Sequence, residues 1–162
     1  MSDDGDFDER MEREEEERGR DLGERPGRRE SLCPCKSTRT YEECCRPFHT
    51  AKSKPETAEQ LMRSRYSAYF FRMVDYLVET THPDRRVPTL RQDLEKMIWH
   101  PSWKFLSVLA TAKGQRGDKI GKVEFVARYF LAGEEHELHE VSRFKRYKGA
   151  WKYMAQKKER EG

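Results

Sequence analysis

The chain has 162 residues, of which 35% are apolar and 39% charged, with a formal net charge of +3. That length holds one compact domain plus an appendage, and so low an apolar share points to an unfolded part. No run approaches the ~18 apolar residues of a membrane span, and no apolar core follows the charged N-terminus as in a secretory leader, so a cytoplasmic protein with no membrane contact is expected.

The unfolded part is read as residues 1–30. Thirteen Asp and Glu face seven Arg there, and Met1, Phe7, Met11 and Leu22 are its only sizeable apolar side chains. Such a tail solubilises, screens the basic remainder or folds onto a partner.

Next come the four cysteines, Cys33-Pro-Cys35 and Cys44-Cys45, the only ones in the chain. Bonds within either pair would be strained, and cross-pairing suits a secreted mini-domain. Four sulfurs inside thirteen residues, in a stretch too short to bury a core, instead suit a tetrahedral ion. Zinc is the expected cofactor, held by Cys33, Cys35, Cys44 and Cys45 in a knuckle over residues 31–50. Pro34 stiffens the first turn, Thr40 to Cys45 begins a short helix, and Lys36, Arg39 and Arg46 offset the site's negative charge. His49 is an alternative ligand in place of one thiolate. Four thiolates leave no open position, so the ion is structural, and closely spaced thiolates in a cytosolic chain serve metal rather than thiol catalysis.

The body is expected over residues 55–154, followed by a basic tail at 155–162. Thr57 with Gln60 forms a capping box, and Ala58, Leu61, Met62, Tyr66, Tyr69, Met73, Tyr76 and Leu77 recur at helical spacing, giving one long helix over 57–80. Thr89 with Gln92 repeats the signature for a shorter helix with the stripe Leu90, Leu94, Met97 and Ile98. Four strands follow: Trp103 to Ala112, Val123 to Leu131, Leu138 to Tyr147 and Trp151 to Met154. Helices first and then a meander give an α+β fold, the helices packed on one face of a curved antiparallel four-stranded sheet.

The strings Cys33-Pro-Cys35-Lys36-Ser37, Tyr41 and Cys44-Cys45 resemble the SEC-C motif, a zinc knuckle also found at the end of the SecA translocation ATPase. Leu61-Met62-Arg63-Ser64-Arg65-Tyr66-Ser67-Ala68-Tyr69, Thr80-Thr81-His82-Pro83, Glu140-Val141-Ser142-Arg143-Phe144 and Trp151-Lys152-Tyr153 resemble the YchJ family of uncharacterised bacterial proteins, across residues 31 to about 154. The resemblance implies a knuckle followed by an NTF2-like domain. It also implies glycines where Lys36 and Thr38 stand, and often a second knuckle where this chain reads Lys157-Lys158-Glu159-Arg160.

Arg65 falls on the apolar row Leu61, Arg65, Tyr69, Met73, Leu77, where a guanidinium needs a partner. Glu140 shares the inner strand face with Leu138, Ser142 and Phe144. Either the two form a buried ion pair that docks helix on sheet, or Arg65, Tyr69, Glu140 and Ser142 line a cleft, with Glu140 or His82 as a base. A second candidate surface is the basic strip Arg143, Lys145, Lys148 and Lys152, interleaved with Tyr147, Trp151 and Tyr153, a pattern that suits RNA or an acidic protein. No DNA-reading motif is present. The expected function is a zinc-bound, non-catalytic binding module contacting a protein or RNA partner; the alternative is a small-molecule binder or enzyme using the cleft.

Overall fold

The computed structural model describes residues 31–156. The tail expected at 1–30, and residues 157–162 of the expected basic tail, lie outside the described residues. Residues 155 and 156 end the last strand. Four helices, α1 (Arg46–His49), α2 (Ala58–Phe70), α3 (Val74–Glu79) and α4 (Leu90–Met97), precede four strands, β1 (Ser102–Lys113), β2 (Ile120–Leu131), β3 (Glu134–Tyr147) and β4 (Ala150–Gln156). The strands pair antiparallel in the order β1-β2-β3-β4. Ladder registers shift between Trp103 and Phe105, between Val108 and Ala110, and between Arg143 and Phe144; such bulges bend and twist a sheet. The expected α+β architecture is the one observed.

The local chemistry accounts for the boundaries. The Thr57 hydroxyl accepts the Gln60 N–H at 3.1 Å, while the Gln60 side chain accepts the Glu56 N–H rather than that of Thr57. Two-residue turns join the later strands, Ala132-Gly133 and Lys148-Gly149, all four residues at positive φ. That matches the twist a tight hairpin requires. Gly121 has no room for a side chain: a Cβ there would stand 2.5 Å from Gly114 Cα. The contact matters because the Gly114 carbonyl accepts the Ala58 N–H at 2.9 Å, fixing the start of α2 on the β1–β2 turn.

The single helix expected over 57–80 is two. Phe71 caps α2, Arg72 takes φ +61, and the N–H groups of Arg72 and Met73 return to the carbonyls of Tyr69 and Ala68. This is a Schellman ending with an arginine where glycine is usual, so no glycine marked the break. The capping box expected at Thr89 and Gln92 is absent as well: the Thr89 hydroxyl donates to the Asp93 carboxylate at 3.0 Å instead.

The core joins knuckle to sheet. Cys33, Cys35 and Cys45 pack in one buried cluster with Leu61, Tyr66, Phe125, Phe144 and Trp151. A smaller cluster of Ala68, Leu77, Leu94 and Ile98 binds the remaining helices. The Thr80–His82 segment docks along β4: the Tyr153 N–H donates to the Thr80 carbonyl and the His82 N–H to the Tyr153 carbonyl, both at 2.8 Å.

Candidate functional site

The knuckle is built from backbone outward. Leu32 and Thr40 pair across an isolated antiparallel bridge, and the Cys33 N–H donates to the Arg39 carbonyl at 2.8 Å, so the loop between them is pinned shut. Thr40 caps a 3-10 turn, Tyr41–Glu43, and Cys45 opens α1. The two cysteine pairs thus come from two tight elements facing each other.

All four sulfurs lie within 4.8 Å of one another, with Cys35–Cys44 at 3.6 Å and Cys44–Cys45 at 3.9 Å. A tetrahedron of sulfurs about 2.3 Å from its centre has edges of roughly 3.8 Å. The donor set therefore fits a metal ion, and the four thiols are free of disulfides. The Cys33, Cys35 and Cys45 thiols and the Ser37 hydroxyl drive Cys44 down as hydrogen-bond donors. The same sulfur contacts, with burial, push Cys45 up, while Cys35 falls to about 7.

Several supports of the site carried no sequence signal. The Ser37 hydroxyl lies 3.1 Å from Cys44 Sγ, and the Ser67 hydroxyl 3.4 Å from the sulfurs of both Cys33 and Cys45. Arg63 Nη1 donates to the Cys35 carbonyl at 2.6 Å. Arg63, and not the expected trio, is the cation that touches the knuckle's buried loop. Lys36 is exposed, Arg39 reaches the Glu43 carbonyl, and Arg46 lies 3.8 Å from Glu42. Arg63, Ser64 and Ser67 all stand in the string 61–69, on the helix that faces the knuckle.

His49 is not placed as a ligand. Its Nε2 is 2.8 Å from the Ser64 carbonyl, which fixes a proton there, and its Nδ1 then accepts from the Tyr41 hydroxyl at 2.7 Å. Burial holds its pKa below the usual histidine range.

The second site is a cavity of about 230 Å³ between α2 and the sheet, and Arg65, Tyr69, Glu140 and Ser142 all line it. His82 does not: its Nδ1 accepts the Asp84 N–H at 3.0 Å and its ring meets Tyr147 edge-on at 5.3 Å. The expected Arg65–Glu140 ion pair is not formed. Arg65 Nη1 donates to the Leu77 carbonyl at 3.0 Å and the Thr80 hydroxyl at 2.7 Å, and its guanidinium lies 4.4 Å from the centre of the Tyr153 ring. Among the described residues Glu140 forms no hydrogen bond or ion pair, and its charge is felt at the Tyr153 hydroxyl. Loss of water alone holds its carboxyl above the usual range.

The basic strip is only partly assembled. Arg143, Lys145 and Lys148 are exposed. Lys152 is tied to the Glu79 carbonyl at 2.8 Å, and burial lowers its pKa. Of the interleaved rings, Trp151 is buried, with its indole N–H on the Glu56 carbonyl at 3.1 Å. Tyr153 lines the cavity, which leaves Tyr147 as the exposed ring.

Residues 57–156 match the family described as YchJ, middle NTF2-like domain. A UPF0225 protein of Geobacter sulfurreducens is 40% identical over 121 residues, 75% of each chain. The UPF0225 protein YchJ of Shigella dysenteriae is 38% identical over 123 residues, 76% of this chain and 80% of that one. The solution structure of a SEC-C motif containing protein from Rhodopseudomonas palustris superposes with a TM-score of 0.72 at 33% identity, over 79% of this chain and 98% of that one.

Lys36 and Thr38 both sit at positive φ, +66 and +74, the positions at which the resemblance implied glycine. A β-branched residue there is strained. Thr38→Gly is therefore expected to raise stability by about 0.5–1 kcal/mol after the glycine's extra freedom in the unfolded chain is subtracted; an unchanged or lower thermal midpoint contradicts this. Burial holds the Glu140 carboxyl above its ordinary 4.5, so just above pH 4.5 the native state holds a proton the unfolded chain has released. Stability is then lost as pH rises through that window. Denaturation midpoints measured against pH are expected to fall more in the parent than in Glu140→Gln, with the difference levelling off once Glu140 is ionised; parallel curves would contradict it.

Proposed function

The chain belongs to the YchJ family, and on that premise we propose that it is a non-catalytic binding module of the cytoplasm, organised by a structural zinc ion and acting through contact with a macromolecular partner. The observation that carries the reading is the convergence of four buried or half-buried cysteine sulfurs with hydroxyl support on two sides. Cys33, Cys35, Cys44 and Cys45 would hold the ion, which supplies shape and charge neutralisation rather than an open coordination position. Among the described residues no helix is long and apolar enough to cross a membrane.

For the partner, a protein fits better than RNA. Single-stranded RNA needs several rings to stack on, and only Tyr147 of the three candidates stands exposed. Against that, Lys122, Arg143 and Lys145 border a groove of about 420 Å³ together with Ile120 and Met154. That mixture suits an acidic protein surface with an apolar centre.

A second reading keeps the domain as a small-molecule binder. The observation favouring it is the cavity lined by Arg65, Tyr69, Glu140 and Ser142, which the surrounding aromatic rings do not fill.

Two measurements test the leading reading. Elemental analysis is expected to return about one zinc per chain, and chelation or Cys44→Ser to lower stability by a fraction of the roughly 10–16 kcal/mol that binds zinc to isolated finger peptides. Metal-free protein that melts at the same temperature with reactive thiols would sink the zinc claim. A fluorescent single-stranded RNA titrated at ~50 and ~200 mM salt is expected to bind weakly or not at all; an affinity that falls steeply with salt would transfer the partner role to RNA.

A further inference from the structure

The cavity beneath α2 contains a carboxylate that the rest of the fold does not use. This inference rests on the second reading, that the cavity takes a small molecule. We propose that its ligand is a small organic cation, an ammonium head on an apolar body, with Glu140 as counter-ion and the rings of Tyr69, Trp103, Phe125 and Tyr153 as walls.

The first ground is the isolation of Glu140. It lies in the inner row of β3 with Leu138, Ser142 and Phe144, opposite Phe125 in the β2 ladder. A carboxylate in such surroundings is costly unless it is paired, and no lysine, histidine or second acid lines the cavity. Arg65 does not serve. Its Nη1 donates to the Leu77 carbonyl and the Thr80 and Thr81 hydroxyls, its guanidinium lies over the Tyr153 ring, and it makes no ion pair with Glu140. A cation entering the cavity would supply the partner that Glu140 lacks among the described residues.

The second ground is the walls. Aromatic faces attract organic cations, and the rings of Tyr69, Trp103, Phe125 and Tyr153 line the same cavity as the acid. The hydroxyls of Tyr69, Ser142 and Tyr153 offer further acceptors for ammonium protons. An anionic ligand would meet Glu140 directly, and an uncharged one would leave it without a counter-charge.

The third ground is size and access. A cavity of ~150 Å³ takes one benzene ring, so about 230 Å³ accommodates a ring with a short substituent. Met97, 41% exposed, stands at its rim. A ligand therefore has a way in.

The test uses the full chain as purified, with four probes that share one body: benzylamine (an ammonium at neutral pH), benzyl alcohol, toluene and benzoate. The Trp103 indole N–H, buried without a hydrogen-bond partner among the described residues, is the NMR reporter, and the exposed Trp99 is the internal control. Benzylammonium is expected to shift the Trp103 signal saturably and to bind at least about tenfold more tightly than benzyl alcohol, the scale of a hydrogen bond to a charged group. Glu140→Gln is expected to abolish that preference without lowering the thermal midpoint, and Glu140→Met serves if the glutamine variant misfolds. Equal binding of alcohol and ammonium, tighter binding of benzoate, or a preference that survives both variants overturns the cation assignment and leaves the cavity as a binding site. Absence of any Trp103 shift with all four probes overturns the cavity reading together with it.

Discussion

Helix α2 is squeezed between two structures with opposite demands, and nearly everything else follows from how its thirteen residues meet them. One side faces four sulfurs and the turns that carry them; the other faces a bent sheet. A helix covered on both sides usually turns apolar all round, yet α2 keeps Ser64 and Ser67 fully buried and Arg65 nearly so. The small serines let the knuckle approach closely, and each hydroxyl has work: Ser67 on the sulfurs of Cys33 and Cys45, Ser64 on the Tyr76 hydroxyl at 2.7 Å. The Ser64 carbonyl also fixes His49. The knuckle is therefore a wall of the core and not an appendage joined by a linker.

The sheet side poses the harder problem of a buried guanidinium. Its solution depends on the break between α2 and α3. Ending α2 at Phe70 lets the chain turn back, so that the last turn of α3 presents the Leu77 carbonyl and the Thr80 and Thr81 hydroxyls to Arg65. The same Thr80–His82 segment then docks on β4, and Tyr153 of that strand closes over the guanidinium. Arg65 thus links helix, turn and edge strand through neutral groups. A charge stabilised by carbonyls, hydroxyls and a ring face needs no carboxylate, which is why Glu140 remains free of it.

What the sequence made legible divides along physical lines. Ligand geometry at the knuckle is local, so cysteine spacing alone located it, and alternation along Val123 to Leu131 and Leu138 to Tyr147 placed the inner faces of β2 and β3. Periodicity was right that Arg65 and Glu140 both point inward; of its two alternatives the ion pair is not formed and the shared cavity is, because Arg65's partners lie on a turn created by an unmarked break. That break was hidden because Arg72 takes a conformation for which glycine is the usual signal. The starts of β2 at Ile120 and of β3 at Glu134 were missed because ladder pairing, not side-chain burial, extends those strands. Ser67 and Arg63 were invisible as supports of the site, since a hydroxyl or guanidinium aimed at the knuckle leaves no pattern along a single helix.

The two candidate sites are physically continuous. Tyr66 and Trp103 pack edge to face at 5.8 Å; both line the cavity, and both also line a groove under Cys33, Pro34, Lys36 and Thr38. The partition between knuckle and cavity is therefore two aromatic side chains thick. Close-packed interiors transmit displacement rather than absorb it, so whatever fixes the four sulfurs also fixes the rings that shape the cavity. The knuckle's position in the chain then has a physical logic: a short segment without a core of its own, drawn together at four converging sulfurs, braces the wall of a cavity whose remaining sides are helix and sheet.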